Sequence, residues 1–154
     1  MSQPQAAIFK VDWSPQLTPE SQRNNFERGG KSMTIFLQAI DLHTDWKVRV
    51  AENIQEESFL DPKLVQDDHQ CPLGQWIDQE GQAYRHLAKF SQMCTQHTEF
   101  HRILGEITSL NNVGAVKLAV EYFRENGAID KASQSLIEAL RLCDEELQQS
   151  KQSS

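Results

Sequence analysis

Apolar residues recur at helical spacing from Ser32 almost to the end of the chain. In the first helical stretch the series Phe36, Ile40, His43, Val50 and Ile54 has intervals of three, four or seven residues. This spacing places them on one face of an α-helix. No segment alternates strictly between apolar and polar residues, as a half-buried strand does. The pattern therefore predicts an all-α fold.

Prolines, glycines and polar residues divide this region into five predicted helices. Their expected bounds are roughly 32–54, 72–81, 83–110, 114–126 and 129–147. The stretch 59–70 contains Asp61-Pro62 and is expected to be a connection, because proline interrupts helical hydrogen bonding. Short connections join antiparallel neighbours, so we expect an antiparallel four-helix bundle with an additional short helix.

The two ends of the chain differ from this helical region. Residues 1–30 contain three of the five prolines and the Gly29-Gly30 pair, and we expect a partly flexible extension with at most a short helix near 17–21. Residues 148–154 form a polar tail. The expected domain is therefore a single helical bundle over residues 31–147.

Composition narrows the classes of partner. The chain has 154 residues, of which 38% are hydrophobic, and a net charge of −7. That charge argues against nucleic acid, which needs a basic surface, and against an anionic membrane. No stretch approaches the roughly 18 apolar residues of a membrane span, and the first residues do not resemble a secretion signal. Three widely spaced cysteines do not make a disulfide framework, so we expect a protein of the reducing cytoplasm.

Histidines interrupt the apolar faces of two predicted helices. His43 lies among the apolar positions of the first helix, and His97 and His101 lie four residues apart on the third. Side chains four residues apart stack on one helix face. A buried imidazole needs hydrogen-bond partners or a metal. The pair of His97 and His101 alone is compatible with hydrogen-bonded core histidines or with metal ligands.

Cys71 stands directly before Pro72, at the predicted start of the second helix. Proline is favoured at the first helical position, which makes Cys71 the expected N-cap. The unpaired N–H groups and the helix dipole at that position should lower the pKa of the thiol. Three neutral imidazoles and one thiolate are a donor set that suits zinc. His43, Cys71, His97 and His101 would make such a set, for one zinc per chain.

The sequence lacks the residue patterns of two other kinds of metal site, the di-iron bundle and the zinc protease. A carboxylate-bridged di-iron bundle uses Glu-x-x-His, and no histidine has Glu three residues before it. A zinc protease uses His-Glu-x-x-His, whereas Glu99 lies two residues after His97 and points away from the shared face. No Gly-rich phosphate loop and no Ser/His/Asp arrangement is present in the sequence. The chemistry expected is ligation and thiol reactivity, and the chain is not expected to be an enzyme.

Three motifs together resemble the chemoreceptor zinc-binding domain family. They are His43-Thr-Asp-Trp46, Cys71-Pro-Leu-Gly-Gln-Trp76 and His97-Thr-Glu-Phe-His101, in the family's order. The resemblance covers about residues 32–145. It implies a bundle of four main helices, often dimeric, with zinc held by the three histidines and the cysteine. Trp46, Gly74 and Trp76 would then be scaffold around the site.

The resemblance also implies a function. Members of the family are usually fused to chemoreceptor signalling modules or diguanylate cyclases, and they sense zinc or oxidants such as hypochlorous acid. No such output module is present in this sequence. We therefore expect signalling in trans to a chemoreceptor or diguanylate cyclase, with a homodimer as an option. The alternative is a structural zinc bundle that serves as an interaction module without sensing.

The remaining histidines and cysteines have plainer interpretations. His69 is expected in a solvated connection, and His86 on the surface. Cys94 and Cys143 lie on apolar stripes and are expected to be core residues. Burial should raise the pKa of both thiols and block access to them. Cys71 is accordingly the thiol expected to react first with an oxidant.

Overall fold

A computed structural model describes residues 34–152. The helices are α1 (Ile35–Gln55), α2 (Pro62–Gln66), α3 (Pro72–Asp78), a 3₁₀ helix (Glu80–Tyr84), α4 (Ala88–Asn112), α5 (Val116–Glu121) and α6 (Ala128–Gln152). Between Thr34 and Gln152 there is no strand, so the predicted all-α bundle is confirmed. The predicted extension at 1–30, with its short helix near 17–21, lies outside the described residues.

The three long helices α1, α4 and α6 form the frame, and their contacts fix their directions. Glu146, near the end of α6, accepts hydrogen bonds from the backbone N–H groups of Ala88 and Lys89 at 2.9 Å each, so α6 is antiparallel to α4. This carboxylate also caps the first turn of α4, because the N-cap residue Leu87 has no polar side chain to do so. Lys47 pairs with Asp130 at the start of α6. His43 meets His101, and Asn53 accepts a hydrogen bond from Asn111, so α1 is parallel to α4 and antiparallel to α6.

Helices α1 and α4 consequently run parallel, and the segment between them returns along the bundle. It begins near the end of α1 and passes His101 at Val65. It then passes His43 at Cys71, and reaches the first turn of α1 at Trp76, whose ring meets that of Phe36 edge to face at 5.2 Å. The fourth position of the bundle is thus filled by α2, α3 and the 3₁₀ helix. Pro62 and Pro72 open the two short α-helices, because proline fits the first helical position.

Four predicted helices differ in their bounds from those observed. The helix expected over 83–110 is Ala88–Asn112, and the helix expected over 129–147 is Ala128–Gln152, so part of the predicted polar tail is helical. The helix expected over 72–81 ends at Asp78, where the chain turns through Gln79 and brings Gly81 against the ring of Trp76. The helix expected over 114–126 is only Val116–Glu121. Its residue Ala119 is buried, whereas Val116, Leu118 and Val120 are 38–58% exposed. A continuous buried stripe, which normally stabilises a long helix, is missing there.

The core is continuous along the three long helices. Its largest fully buried apolar side chains are Phe36, Leu73, Met93, Phe100, Leu104, Ile107, Ile129, Leu136 and Leu140. Each such side chain stabilises the fold by roughly 1.5–3 kcal/mol relative to exposure. The helical frame therefore has a core of its own beside the polar cluster described below. No helix within residues 34–152 is long and apolar enough to cross a membrane.

The first prediction concerns Gly74, which lies against the loop before α3. A Cβ at this position would stand 1.8 Å from the backbone oxygen of Asp68 and 2.9 Å from Cα of His69. Gly74→Ala must therefore displace the loop, and we expect it to lower the free energy of unfolding by more than about 2 kcal/mol. It should also weaken zinc binding, because the same loop leads into Cys71. Chemical denaturation and zinc titration measure the two effects.

Gly114→Ala is the matched control. Gly114 has φ +80° with nothing within 4 Å of the added Cβ, so only backbone strain of roughly 1–2 kcal/mol is expected. Its zinc affinity should equal that of the wild type. If Gly74→Ala left both stability and zinc affinity unchanged, the close packing of this loop on α3 would be wrong.

Candidate metal centre

His43 reaches the centre from α1. Thr34 caps this helix by accepting a hydrogen bond from the backbone N–H of Leu37 at 3.3 Å. His43 is 2% exposed and lies on the buried face with Trp46. Its Nδ1–H donates to the carbonyl oxygen of Ala39 at 2.7 Å, one turn earlier. That hydrogen bond holds the ring orientation and leaves the lone pair of Nε2 free to bind a metal.

His97 and His101 reach the centre from α4. They are one turn apart, their ring centroids are 4.7 Å apart, and both are buried. His101 Nδ1–H donates to the carbonyl oxygen of Val65 at 2.8 Å. Helix α2 thereby orients one ligand of α4. The ring of Phe100 stands edge to face against both His43 and His101 and closes that side of the centre.

Cys71 is the N-cap of α3, as the sequence predicts. The Gly74 backbone N–H donates to Cys71 Sγ at 3.3 Å, and Pro72 follows at the first helical position. The Cys71 side chain is fully buried, with Leu73 beside it in the core. Three separate elements, α1, α3 and α4, therefore supply the four side chains.

The four donor atoms lie close enough together to surround one zinc ion. Nε2 of His43 and Nε2 of His101 are 3.3 Å apart. Cys71 Sγ is 3.1 Å from His97 Nε2 and 3.8 Å from His43 Nε2. All four donors lie within 4.8 Å of one another. Zinc bonds of about 2.0–2.1 Å to nitrogen and about 2.3 Å to sulfur place tetrahedral donors roughly 3.3–3.6 Å apart. The structure brings together all four residues predicted as ligands.

Burial keeps the three imidazoles in the form that binds metal. Loss of solvent lowers the pKa of His43 to about 3, with the nearby His101 as a second cause. It also lowers the pKa of His97 well below its usual value and, to a smaller extent, that of His101. All three rings are therefore neutral near pH 7, with lone pairs available to a cation.

The expected low pKa of the Cys71 thiol is wrong for the metal-free protein. Burial raises the pKa of Cys71 to about 11, and the backbone N–H groups of Gly74 and Leu73 oppose this only in part. Local sequence predicted the N-cap but not the depth of burial, which outweighs it. The thiolate thus depends on a bound cation, and zinc would supply that charge.

The other candidate residues lie outside the cluster. His69 has a side chain that is 66% exposed and pairs with Asp78, and His86 is on the surface, as expected for both. Cys143 is buried, and burial raises its pKa to about 12. Cys94 is half-buried rather than a core residue, so it is more exposed than Cys71. The sequence did not predict that the Val65 carbonyl oxygen accepts a hydrogen bond from His101, because no residue spacing links α2 to His101.

Comparison with known proteins relates the chain to one protein family. Residues 43–108 match the chemoreceptor zinc-binding domain. The matched stretch begins at His43 and contains Cys71, His97 and His101, so the predicted resemblance is confirmed. No curated protein and no solved structure matches the chain. The chemoreceptor zinc-binding match and the buried cluster of three histidines and one cysteine together indicate zinc.

Alanine substitutions test the ligand assignment. His97→Ala or His101→Ala should weaken zinc binding by more than about 100-fold and lower the melting temperature of the zinc-loaded protein, because each removes a metal bond. The helices should still form, since the apolar core extends along them well beyond the metal centre. His69→Ala and His86→Ala are the controls and should bind zinc like the wild type. Equal losses in all four variants, measured by competition titration, would show that the ligands are misplaced.

The metal-free protein should lose stability on acidification. The unfolded histidines have pKa values near 6.5, whereas burial lowers the pKa of His43 to about 3. Above about pH 7 both states are neutral and the effect is absent. Below about pH 6.5 the unfolded state binds protons that the folded state does not, so stability falls by up to about 1.4 kcal/mol per pH unit for each such histidine.

Urea unfolding of chelator-treated protein at pH 7.5, 6.5 and 5.5 measures this slope. His43→Gln removes one titrating ring and should flatten the slope between pH 6.5 and 5.5. A wild-type stability that stayed constant from pH 7.5 to 5.5 would contradict the burial of neutral imidazoles.

Proposed function

We propose that this chain is a cytoplasmic zinc-binding regulatory domain without catalytic activity. Its zinc occupancy, or the oxidation state of Cys71, would control a signalling partner in trans. The match to the chemoreceptor zinc-binding domain and the geometry of the four donors support zinc binding. A chemoreceptor or diguanylate cyclase is the proposed partner, because the family is usually fused to such modules. A homodimer is the proposed assembly, because members of the family are often dimeric.

One observation supports the proposal most strongly. The three histidine ligands lie in long helices, whereas the cysteine ligand lies at the start of a short one. His43 lies in a helix of 21 residues and His97 and His101 in a helix of 25, both anchored by the apolar core. Cys71 instead begins a helix of only seven residues, in which Leu73 and Gly74 are the buried positions. A zinc ion would therefore fasten α3 to the frame. Loss of the sulfur ligand would free α3 and leave the three histidines in place.

Oxidation provides a chemical route to that change. The thiolate, and not the thiol, attacks an oxidant. With hypochlorous acid the net step is thiolate plus HOCl giving sulfenic acid plus chloride. A sulfenic acid lacks the negative charge that makes the thiolate a good zinc ligand. Because Cys71 is a buried neutral thiol without metal, its reactivity is proposed to require bound zinc.

The alternative is a structural zinc bundle that serves as an interaction module. The continuous apolar core favours it, because α1, α4 and α6 have a means of staying together when the metal site changes. Under that alternative, neither zinc loss nor thiol oxidation moves α3. The two proposed functions therefore differ in whether α3 moves when zinc is lost or Cys71 is oxidised.

A stoichiometric hypochlorous acid challenge separates them. In zinc-loaded protein, mass-spectrometric mapping should find Cys71 oxidised before Cys94 and Cys143, with zinc released or bound more weakly. Hydrogen exchange should increase over residues 67–84 and stay unchanged in α6. In chelator-treated protein the order should reverse in favour of Cys94, because it is the more exposed thiol and Cys71 is then protonated.

Cys94→Ser and Cys71→Ser are the paired variants. The first should keep the zinc-loaded response and the second should abolish it. Oxidation of Cys94 or Cys143 first in zinc-loaded protein would contradict the sensing proposal. So would an exchange pattern over residues 67–84 that does not respond to zinc or oxidant, and the structural alternative would then hold.

A further inference from the structure

A cavity that is partly open to solvent lies against the outer side of the metal centre. Its volume is about 240 Å³, and it is bounded by the loop before α3, the end of α3 and one face of α4. A water molecule in the liquid takes roughly 30 Å³, so the cavity has room for a small hydrated ion. Its polar lining includes Asp68, His69, Asp78 and Cys94, without a lysine or arginine.

His97 connects this cavity to the buried cluster. It lines the cavity, yet it is only 1% exposed and its Nε2 lies 3.1 Å from Cys71 Sγ. His43 and His101 each donate Nδ1–H to a backbone carbonyl. Within residues 34–152, His97 Nδ1 has no hydrogen-bond partner in the protein. A metal-binding histidine normally donates this N–H to a carboxylate, carbonyl or water. A hydrogen-bond acceptor in the cavity, such as water, is therefore the partner left for this N–H group, and the cavity reaches the metal ligand itself.

The lining residues become progressively more buried towards His97. The side chains of His69 and Asp78 are 66% and 46% exposed at the outer edge, and that of Asp68 is 20% exposed further in. Their hydrogen bonds hold the carboxylates in place. Asp78 accepts from His69 Nδ1 at 2.7 Å, and Asp68 accepts from the Thr98 hydroxyl at 2.6 Å. Oxygen, nitrogen and sulfur donors thus line a path from solvent to the centre.

We propose that this cavity is the entry vestibule through which a divalent cation, Zn²⁺, reaches the buried ligands, with Asp78, His69 and Asp68 as its transient contacts and His97 as the first permanent one. The inference rests on the proposed zinc binding and adds a route to it. The four ligands are at most 2% exposed, so zinc needs a path to them. Cys94, on the same face of α4 one turn before His97, adds a sulfur donor along that path.

The vestibule should affect the rates at which zinc binds and dissociates. Negative charge at the entrance of a cleft raises the local concentration of a cation and speeds its association. A transient site on the path lowers the barrier in both directions, so it accelerates release as well as uptake. The dissociation constant depends on the four permanent ligands and should change little. A residue with a merely structural role would alter the dissociation constant instead.

The test compares the 154-residue chain with its variants, using Zn²⁺ alone as the probe. Stopped-flow uptake from a fluorescent zinc buffer gives the association rate, and release into excess chelator gives the dissociation rate. We expect the double variant His69→Gln with Asp78→Asn to slow both rates about 3–10-fold, with the dissociation constant within about twofold of the wild type. Glu125→Gln makes the same charge change as Asp78→Asn at an exposed position outside the cavity, and should leave both rates unchanged.

Salt dependence gives a second measurement that does not depend on small changes in folding. The association rate of the wild type should fall more steeply with added salt than that of Asp78→Asn, because screening weakens the attraction at the entrance. Unchanged rates in the double variant, equal effects of Glu125→Gln, or a changed dissociation constant with an unchanged association rate would each overturn the vestibule. A wild type that binds no zinc at all would instead refute the proposed function.

Discussion

The burial of four polar side chains at one point is the constraint on which the rest of the molecule depends. His43, Cys71, His97 and His101 are all at most 2% exposed, with their donor atoms facing one another. Neutral imidazoles whose Nε2 atoms meet at 3.3 Å cannot satisfy one another fully by hydrogen bonds, and buried polar groups without partners cost free energy. A single zinc ion would accept all four lone pairs at once, which would account for a polar cluster in an otherwise apolar core.

The architecture follows from bringing those donors together. Two parallel helices supply the histidines, and a parallel pair requires a return segment between them. That segment is broken into short elements, which lets it contribute the Val65 carbonyl to orient His101 and the N-cap Cys71 to complete the donor set. Gly74 permits the close approach of the loop to α3. The sulfur ligand is thus carried by a helix of only seven residues, whereas the histidines are carried by long helices.

Local sequence was sufficient for some of these features. Helical spacing identifies the faces that carry His43, His97 and His101, and Pro72 identifies Cys71 as an N-cap, since both depend on residues within one or two turns. The family resemblance rests on the same motifs. The lengths of α3 and α5, the parallel course of α1 and α4, and the Val65 carbonyl depend on packing between distant segments.

The pKa of Cys71 illustrates the same limit. The backbone N–H groups at the start of α3 lower the pKa of the thiol, as predicted. Burial by residues far away in sequence has the larger effect and raises the pKa to about 11. Cys94 shows the converse, because its apolar neighbours in sequence suggested a core position and the cavity leaves it half-exposed. Burial is a property of the whole fold, and both errors arise from it.

Zinc-edge X-ray absorption on the purified, zinc-loaded chain tests the account most directly. It reports the number and type of atoms bound to the metal without reference to function. The account predicts four-coordinate zinc with one sulfur at about 2.3 Å and three nitrogens at about 2.0–2.1 Å. In Cys71→Ser the sulfur should disappear while three nitrogens remain. A first shell without sulfur, a second sulfur from Cys94, or oxygen-rich six-fold coordination in the wild type would contradict it.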